Sequence, residues 1–68
     1  MAYSLDIVKE ELCYFQEGES FIIYAKIDRL EELDNFCEDN DMLVLDARER
    51  DDYIYFDVMT LGSYGIDG

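Results

Sequence analysis

Apolar positions along this chain follow two periods, one of about three to four residues and one of two. Leu5, Val8, Leu12 and Phe15 recur at i, i+3, i+7 and i+10, one stripe of an amphipathic helix. Ser4 stands where an N-cap belongs, and Asp6 lies in the first turn, where the positive end of the helix dipole favours an anion. Ile7 and Tyr14 form a narrower second line, and Cys13 falls on the polar side. Gly18 is placed to cap the C-terminus of this helix. From Phe21 to Ile27 the period becomes two. Phe21, Ile23, Ala25 and Ile27 face one way and Ile22, Tyr24 and Lys26 the other, which predicts a strand. Asp28 then opens a second helix, with Glu31 at the capping-box position. Leu30, Leu33, Phe36 and Cys37 gather on one arc of it, and Glu31, Glu32, Asp34, Glu38 and Asp39 on the opposite arc.

Asp39-Asn40-Asp41 makes a turn into a second strand, Met42 to Arg48, with Leu43, Leu45 and Ala47 expected inward. Residues 49–52 read as a hairpin turn. Tyr53 to Thr60 is a third strand with Ile54, Phe56 and Val58 inward, and from Leu61 onward the chain reads as a C-terminal tail, with Tyr64 and Ile66 tucked against the domain. The order αβαββ predicts a small single α+β domain over residues 1–68. Both helices pack on one face of a three-stranded, mainly antiparallel sheet. The strongly β-prone third strand takes the centre, so the first strand, second helix and second strand form a split βαβ crossover around it. The outer face then carries Tyr24, Tyr53, Tyr55, Met42, Val44 and Met59.

Composition narrows the function. The chain has 68 residues, half of them hydrophobic and 15% aromatic, too apolar for a disordered acidic tail. No run approaches the length of a membrane span, and Met1-Ala2-Tyr3-Ser4 lacks the charged and apolar regions of a secretory signal. Two cysteines are too few for a disulfide framework, so a reducing cytoplasm is expected. There is no His, hence neither the commonest base near neutral pH nor the commonest metal ligand. Cys13 has Lys9 one turn away but Asp6 and Glu10 beside it, so it reads as an inert surface thiol, and Cys37 as core. Neither residues 39–41 nor residues 46–57 carry the central Gly of a calcium loop, and no phosphate-binding glycine fingerprint occurs. The reading is a protein that is not an enzyme and holds no metal or cofactor.

Charge is the most informative bulk property. Eighteen Asp and Glu against five Lys and Arg give −13, which disfavours nucleic acid and anionic membranes as direct ligands. Residues 28–57 hold twelve acids and three bases, so most of the excess lies on the second helix and the turns around it. Glu31, Asp34 and Glu38 share one line of that helix, stepped by roughly 4.5 and 6 Å. Phosphates along a nucleic-acid strand are spaced at about 3.4 Å of axis. Glu32 and Glu49 extend this acid set, and Asp39, Asp41, Asp51 and Asp52 are expected to continue the line at the end of the sheet. A solvated helix face explains carboxylates but predicts interspersed Lys, and between residues 28 and 47 only Arg29 is basic. Adaptation to high salt is the competing explanation, to which six Ile, ten aromatics and two Cys are poorly suited.

In length, charge, carboxylate rows and exposed tyrosines the chain resembles the small acidic DNA-mimic inhibitors of phages and mobile elements, the anti-CRISPR and antirestriction proteins. The resemblance is to a class that shares no motif, so no residue carries over by matching. It implies that carboxylates take the place of phosphates in the basic groove of a nucleic-acid-binding protein or complex, a CRISPR effector first and a restriction enzyme second. The host cytoplasm is then the site of action, and Tyr24, Tyr53 and Tyr55 stack on Arg or fill the space of bases. Cross-strand packing is the competing role for each tyrosine. The alternative function is an acidic regulatory module that binds a basic cellular protein. On either reading the chain is a monomer, or a homodimer formed through the tyrosine-rich face.

Overall fold

Ser4 has extended backbone, and its Oγ accepts a hydrogen bond from the Ile7 N–H at 3.3 Å, so the first helix begins where its cap predicts. In the computed structural model, which describes residues 1–62, the elements are β1 (Ala2–Ser4), α1 (Leu5–Glu11), β2 (Ser20–Lys26), α2 (Leu30–Asp39), β3 (Met42–Arg50) and β4 (Tyr53–Thr60). A 3₁₀ turn at Leu12–Tyr14 extends α1, and another at Ile27–Arg29 leads into α2.

The sheet has four strands in the order β1-β2-β4-β3. β4 lies between β2 and β3 and is antiparallel to both, so β2, α2 and β3 make the split crossover that the sequence predicts. Both helices cover one face, α1 against β1 and β2, and α2 against β2 and β3. Leu5, Val8, Leu33 and Cys37 come down from the helices onto Ile23 and Val58, all buried. The fold is a small α+β domain with two helices and a mixed sheet.

Several expectations are corrected. The sheet has a fourth strand, β1, parallel to β2. Three residues are too few to show an alternation, and β1 is held by tertiary contacts. The Ile22 N–H donates to the Met1 carbonyl at 2.8 Å, and the Tyr3 ring meets Phe15 and Phe21 edge-on at 5.6 and 5.8 Å. Gly18 does not cap α1. It occupies the Gln16–Glu19 turn with φ +84°, a conformation that suits glycine, and its N–H donates to the Thr60 carbonyl at 2.8 Å. Ile27 leaves the strand for the 3₁₀ turn and is partly exposed. No side chain caps α2, so the Asp28–Glu31 capping box does not form.

The inner face of β3 is the main correction. Met42 pairs with Thr60 and Val44 with Val58, but beyond Leu45 the register shifts, and Asp46 pairs with Asp57 and Ala47 with Phe56. The bulge inserts one residue, which reverses the parity of the strand. Residues opposite one another share a face, so Met42 and Val44 point to the helix side before the bulge and Ala47 and Glu49 after it. Met42 is buried, whereas Leu43 and Leu45 are about half exposed. Met42 and Val44 therefore leave the outer face, and Leu43 joins it. Leu61 is exposed, with its N–H donating to the Asp41 carbonyl at 2.9 Å, and Tyr64 and Ile66 lie outside the described residues.

Candidate functional site

At about 100° per residue, the α2 helix that buries Leu33 and Cys37 must turn Glu31, Asp34 and Glu38 to the opposite side, within roughly 60° of one another. All three are exposed, and no base among the described residues pairs with them. They form one exposed acidic line along α2, free of paired bases.

Glu32 and Asp39 lie further round, on the flank toward α1, where Asp39 and Asn35 line an open depression with Lys9. Glu32 is not part of the free line. Arg29 Nε and Nη2 each donate to its carboxylate at 2.9 Å, and Lys9 Nζ reaches the same group from α1. The guanidinium of Arg29 also makes a two-pronged contact to Asp6, at 3.0 and 3.2 Å. Hydrogen bonds from Arg29 and then Lys9 draw the Glu32 carboxyl down to about 2, and Arg29 lowers Asp6 as well. By helical spacing alone Glu32 is one acid among five on that arc. Its role differs because Lys9 is far away in sequence and comes close only when α1 packs beside α2.

The remaining acids bracket α2 rather than extending one end of it. Asp41, with φ +53°, forms the turn into β3, and Asp51, with φ +57°, forms the two-residue hairpin turn with Asp52. A strand of nine residues separates the two turns, about 30 Å. Contrary to expectation, Asp39, Asp41, Asp51 and Asp52 therefore do not continue the line together at one end of the sheet. The hairpin turn instead meets the start of α2, where the Ile27 N–H donates to the Asp52 carbonyl at 2.8 Å. Glu49 shares the helix side of the sheet with Ile54. Acids therefore run from the hairpin turn along α2 to Asp41.

The outer face of the sheet is different. Cross-strand rows set Lys26, Tyr53 and Arg50 together, then Tyr24, Tyr55 and Arg48, then Ile22, Asp57 and Asp46. The three tyrosines are half-buried and in contact, Tyr24 lying 5.7 Å from Tyr55 and 6.1 Å from Tyr53 between centroids. Arg48 Nε donates to Asp46 at 2.9 Å, in an exposed pair. Three of the five bases thus stand on this face among the tyrosines; the alternation of β2 already sets Lys26 beside Tyr24, whereas Arg50 belongs to β3 and not to the expected turn over residues 49–52. The signal for Arg50 was present, since Arg48 and Arg50 flank Glu49 at strand spacing, as Tyr53 and Tyr55 flank Ile54.

Other chemistry finds little support. Burial pushes the Cys37 thiol up to about 11, away from a reactive thiolate, and Cys13 is an exposed free thiol. Among the described residues no group of three or more Cys, Asp or Glu converges to hold a metal ion, and no helix is long and apolar enough to cross a membrane. Comparison with protein-family models, curated proteins and solved structures finds no significant match.

Proposed function

We propose that the chain is a DNA-mimic inhibitor whose acidic α2 face enters the basic nucleic-acid-binding groove of a defence complex, a CRISPR effector or, second, a restriction enzyme. One observation carries this reading. The bases on the helix side, Lys9 and Arg29, are taken up by Glu32 and Asp6, while Glu31, Asp34 and Glu38 face solvent with no base paired to them. Like charges at i+3 and i+4 destabilise a helix by a few tenths of a kcal/mol each. A face that retains them without compensating Lys is explained by a basic partner. The acids of the hairpin turn and of Asp41 lengthen the same strip at both ends, and the field of the strip would speed encounter with a cationic groove.

The test is a pull-down from a bacterial lysate that carries CRISPR and restriction effectors, at low and high salt, followed by competition between the captured complex and its DNA. Wild-type chain displaces the DNA. The triple variant Glu31→Lys, Asp34→Lys, Glu38→Lys loses this, with association slowed by about 10-fold to 10³-fold. Inhibition by the triple variant equal to wild type overturns the reading. Capture of a basic protein whose nucleic-acid binding is untouched makes the chain an acidic interaction module instead.

A further inference from the structure

The outer face of the sheet has no covering layer among the described residues, yet Ile22, Tyr24, Tyr53 and Tyr55 are only half-exposed there and form a continuous apolar and aromatic surface. Its charges are also unlike those of the rest of the molecule. Lys26, Arg48 and Arg50 stand against Asp46 and Asp57, so a second copy of a chain with a net charge of −13 can approach this face without meeting a wall of carboxylates.

Two ways of stacking this face on itself can be distinguished by charge. A twofold axis parallel to the strands lays Lys26 of one copy over Arg50 of the other, base on base. An axis that crosses the strands, between the Arg48 row and the Asp46 row, reverses the order of rows instead. It sets Arg48 over Asp46 of the second copy, Tyr55 over Asp57 and Tyr24 over Ile22, each contact made twice. Stacked sheets lie about 10 Å apart with strands within roughly 30° of alignment, a separation that long Arg and Tyr side chains span. Edge-to-edge pairing through β3 is a poorer route, because the bulge at Leu45 interrupts the edge.

We propose that the outer sheet face is a homodimer interface, with a second copy of this chain related by the axis that crosses the strands. The exposed Arg48–Asp46 pairs of the two copies then merge into a shielded ring of four charges, flanked by the tyrosines. The acidic α2 faces point away from the interface, so the dimer is bivalent. The proposal does not depend on what those faces bind.

Sedimentation of the purified chain over a micromolar-to-millimolar series tests it, at about 0.15 M salt, where the Debye length is about 8 Å and the repulsion between copies is screened. A concentration-dependent dimer is expected. Arg48→Asp and Asp46→Arg each raise the dissociation constant by at least about a hundredfold, because each puts two like-charged pairs into one interface. The double variant, with both charges exchanged, recovers the dimer. Both sites are exposed on an edge strand, and unchanged circular dichroism of each variant establishes that it folds. A wild type monomeric throughout overturns the proposal, as does a dimer indifferent to Arg48→Asp or a double variant that stays monomeric. So does a monomer that retains a DNA oligonucleotide through Arg48 and Arg50, which makes this a nucleic-acid face.

Discussion

The two sides of one sheet carry opposite chemistry, and the same three strands supply both. On the helix side β2, β4 and β3 present Phe21, Ile23, Ile54, Phe56, Val58 and Met42 to a core roofed by α1 and α2. Residues 5–41 hold twelve carboxylates, against which that side offers only Lys9 and Arg29. On the outer side the same strands present tyrosines and three bases against two acids. The partition runs residue by residue, Glu49 to one side and Arg48 and Arg50 to the other. The outer rows thus hold three bases to two acids and none of the acidic excess, so a partner meets either an acidic surface or a mixed aromatic one according to how it approaches.

The largest effect that tests this contrast lies under the helices. Leu33 is fully buried between α2 and the sheet, and Leu33→Ala is expected to cost about 2–5 kcal/mol in urea unfolding. Leu45, half exposed at the bulge, is expected to cost no more than about 0.5 kcal/mol when cut to Ala. A Leu45→Ala cost near that of Leu33→Ala at micromolar concentration would mean that the free edge is covered in solution.

Next in size is the response to salt. Carboxylates confined to one side repel one another over distances that a Debye length of about 30 Å at 0.01 M does not screen and one of about 3 Å at 1 M does. The melting temperature should rise with salt, by about 4–8 °C for each kcal/mol of repulsion removed. Neutralising the free line, with Glu31→Gln, Asp34→Asn and Glu38→Gln together, should flatten that dependence. Asp46→Asn on the outer side, measured on the monomer, should leave it nearly unchanged. Equal flattening by both would mean that the charge acts as a bulk property and that the partition has no energetic meaning.

How far the sequence revealed this follows from the range of each interaction. The stripe Leu5–Val8–Leu12–Phe15 and the alternation Phe21–Ile23–Ala25 are local, and both reach the core or its margin as expected. The central place of β4 was legible from its β-branched and aromatic content. Strand β1 was not, since Tyr3 acquires its meaning from Phe15 and Phe21. The bulge at Leu45 was hidden by a run of apolar residues in which either parity looks buried. Of the acidic site, the line Glu31–Asp34–Glu38 follows from helical spacing alone. The capture of Glu32 by Lys9 follows from the seating of both helices on one face of the sheet, which no local pattern encodes.

That capture sets the smallest effect, and the one that most sharply separates the two kinds of acid on α2. The Glu32 carboxyl is held at about 2, against an ordinary value of 4.5, by Arg29 and Lys9, and Asp6 is lowered by the same arginine. A folded-state value below the unfolded one means that the folded protein holds the carboxylate form more tightly. The stability this supplies is complete above the unfolded value and is lost as pH falls from about 4.5 toward 2. Protonation of the other carboxylates changes the wild-type curve over the same range, so the informative quantity is the difference between wild type and Glu32→Gln. That difference in melting temperature should be constant from pH 7 to about 5, shrink below 4.5 and vanish near 2. Glu31→Gln, at a position that faces solvent without a base, should be level with wild type or slightly above at pH 7, where relief from its like-charged neighbours acts. If Glu31→Gln and Glu32→Gln trace the same curve, the carboxylate that ties the helices together and the one offered to solvent are not distinct, and the free acidic line loses its definition.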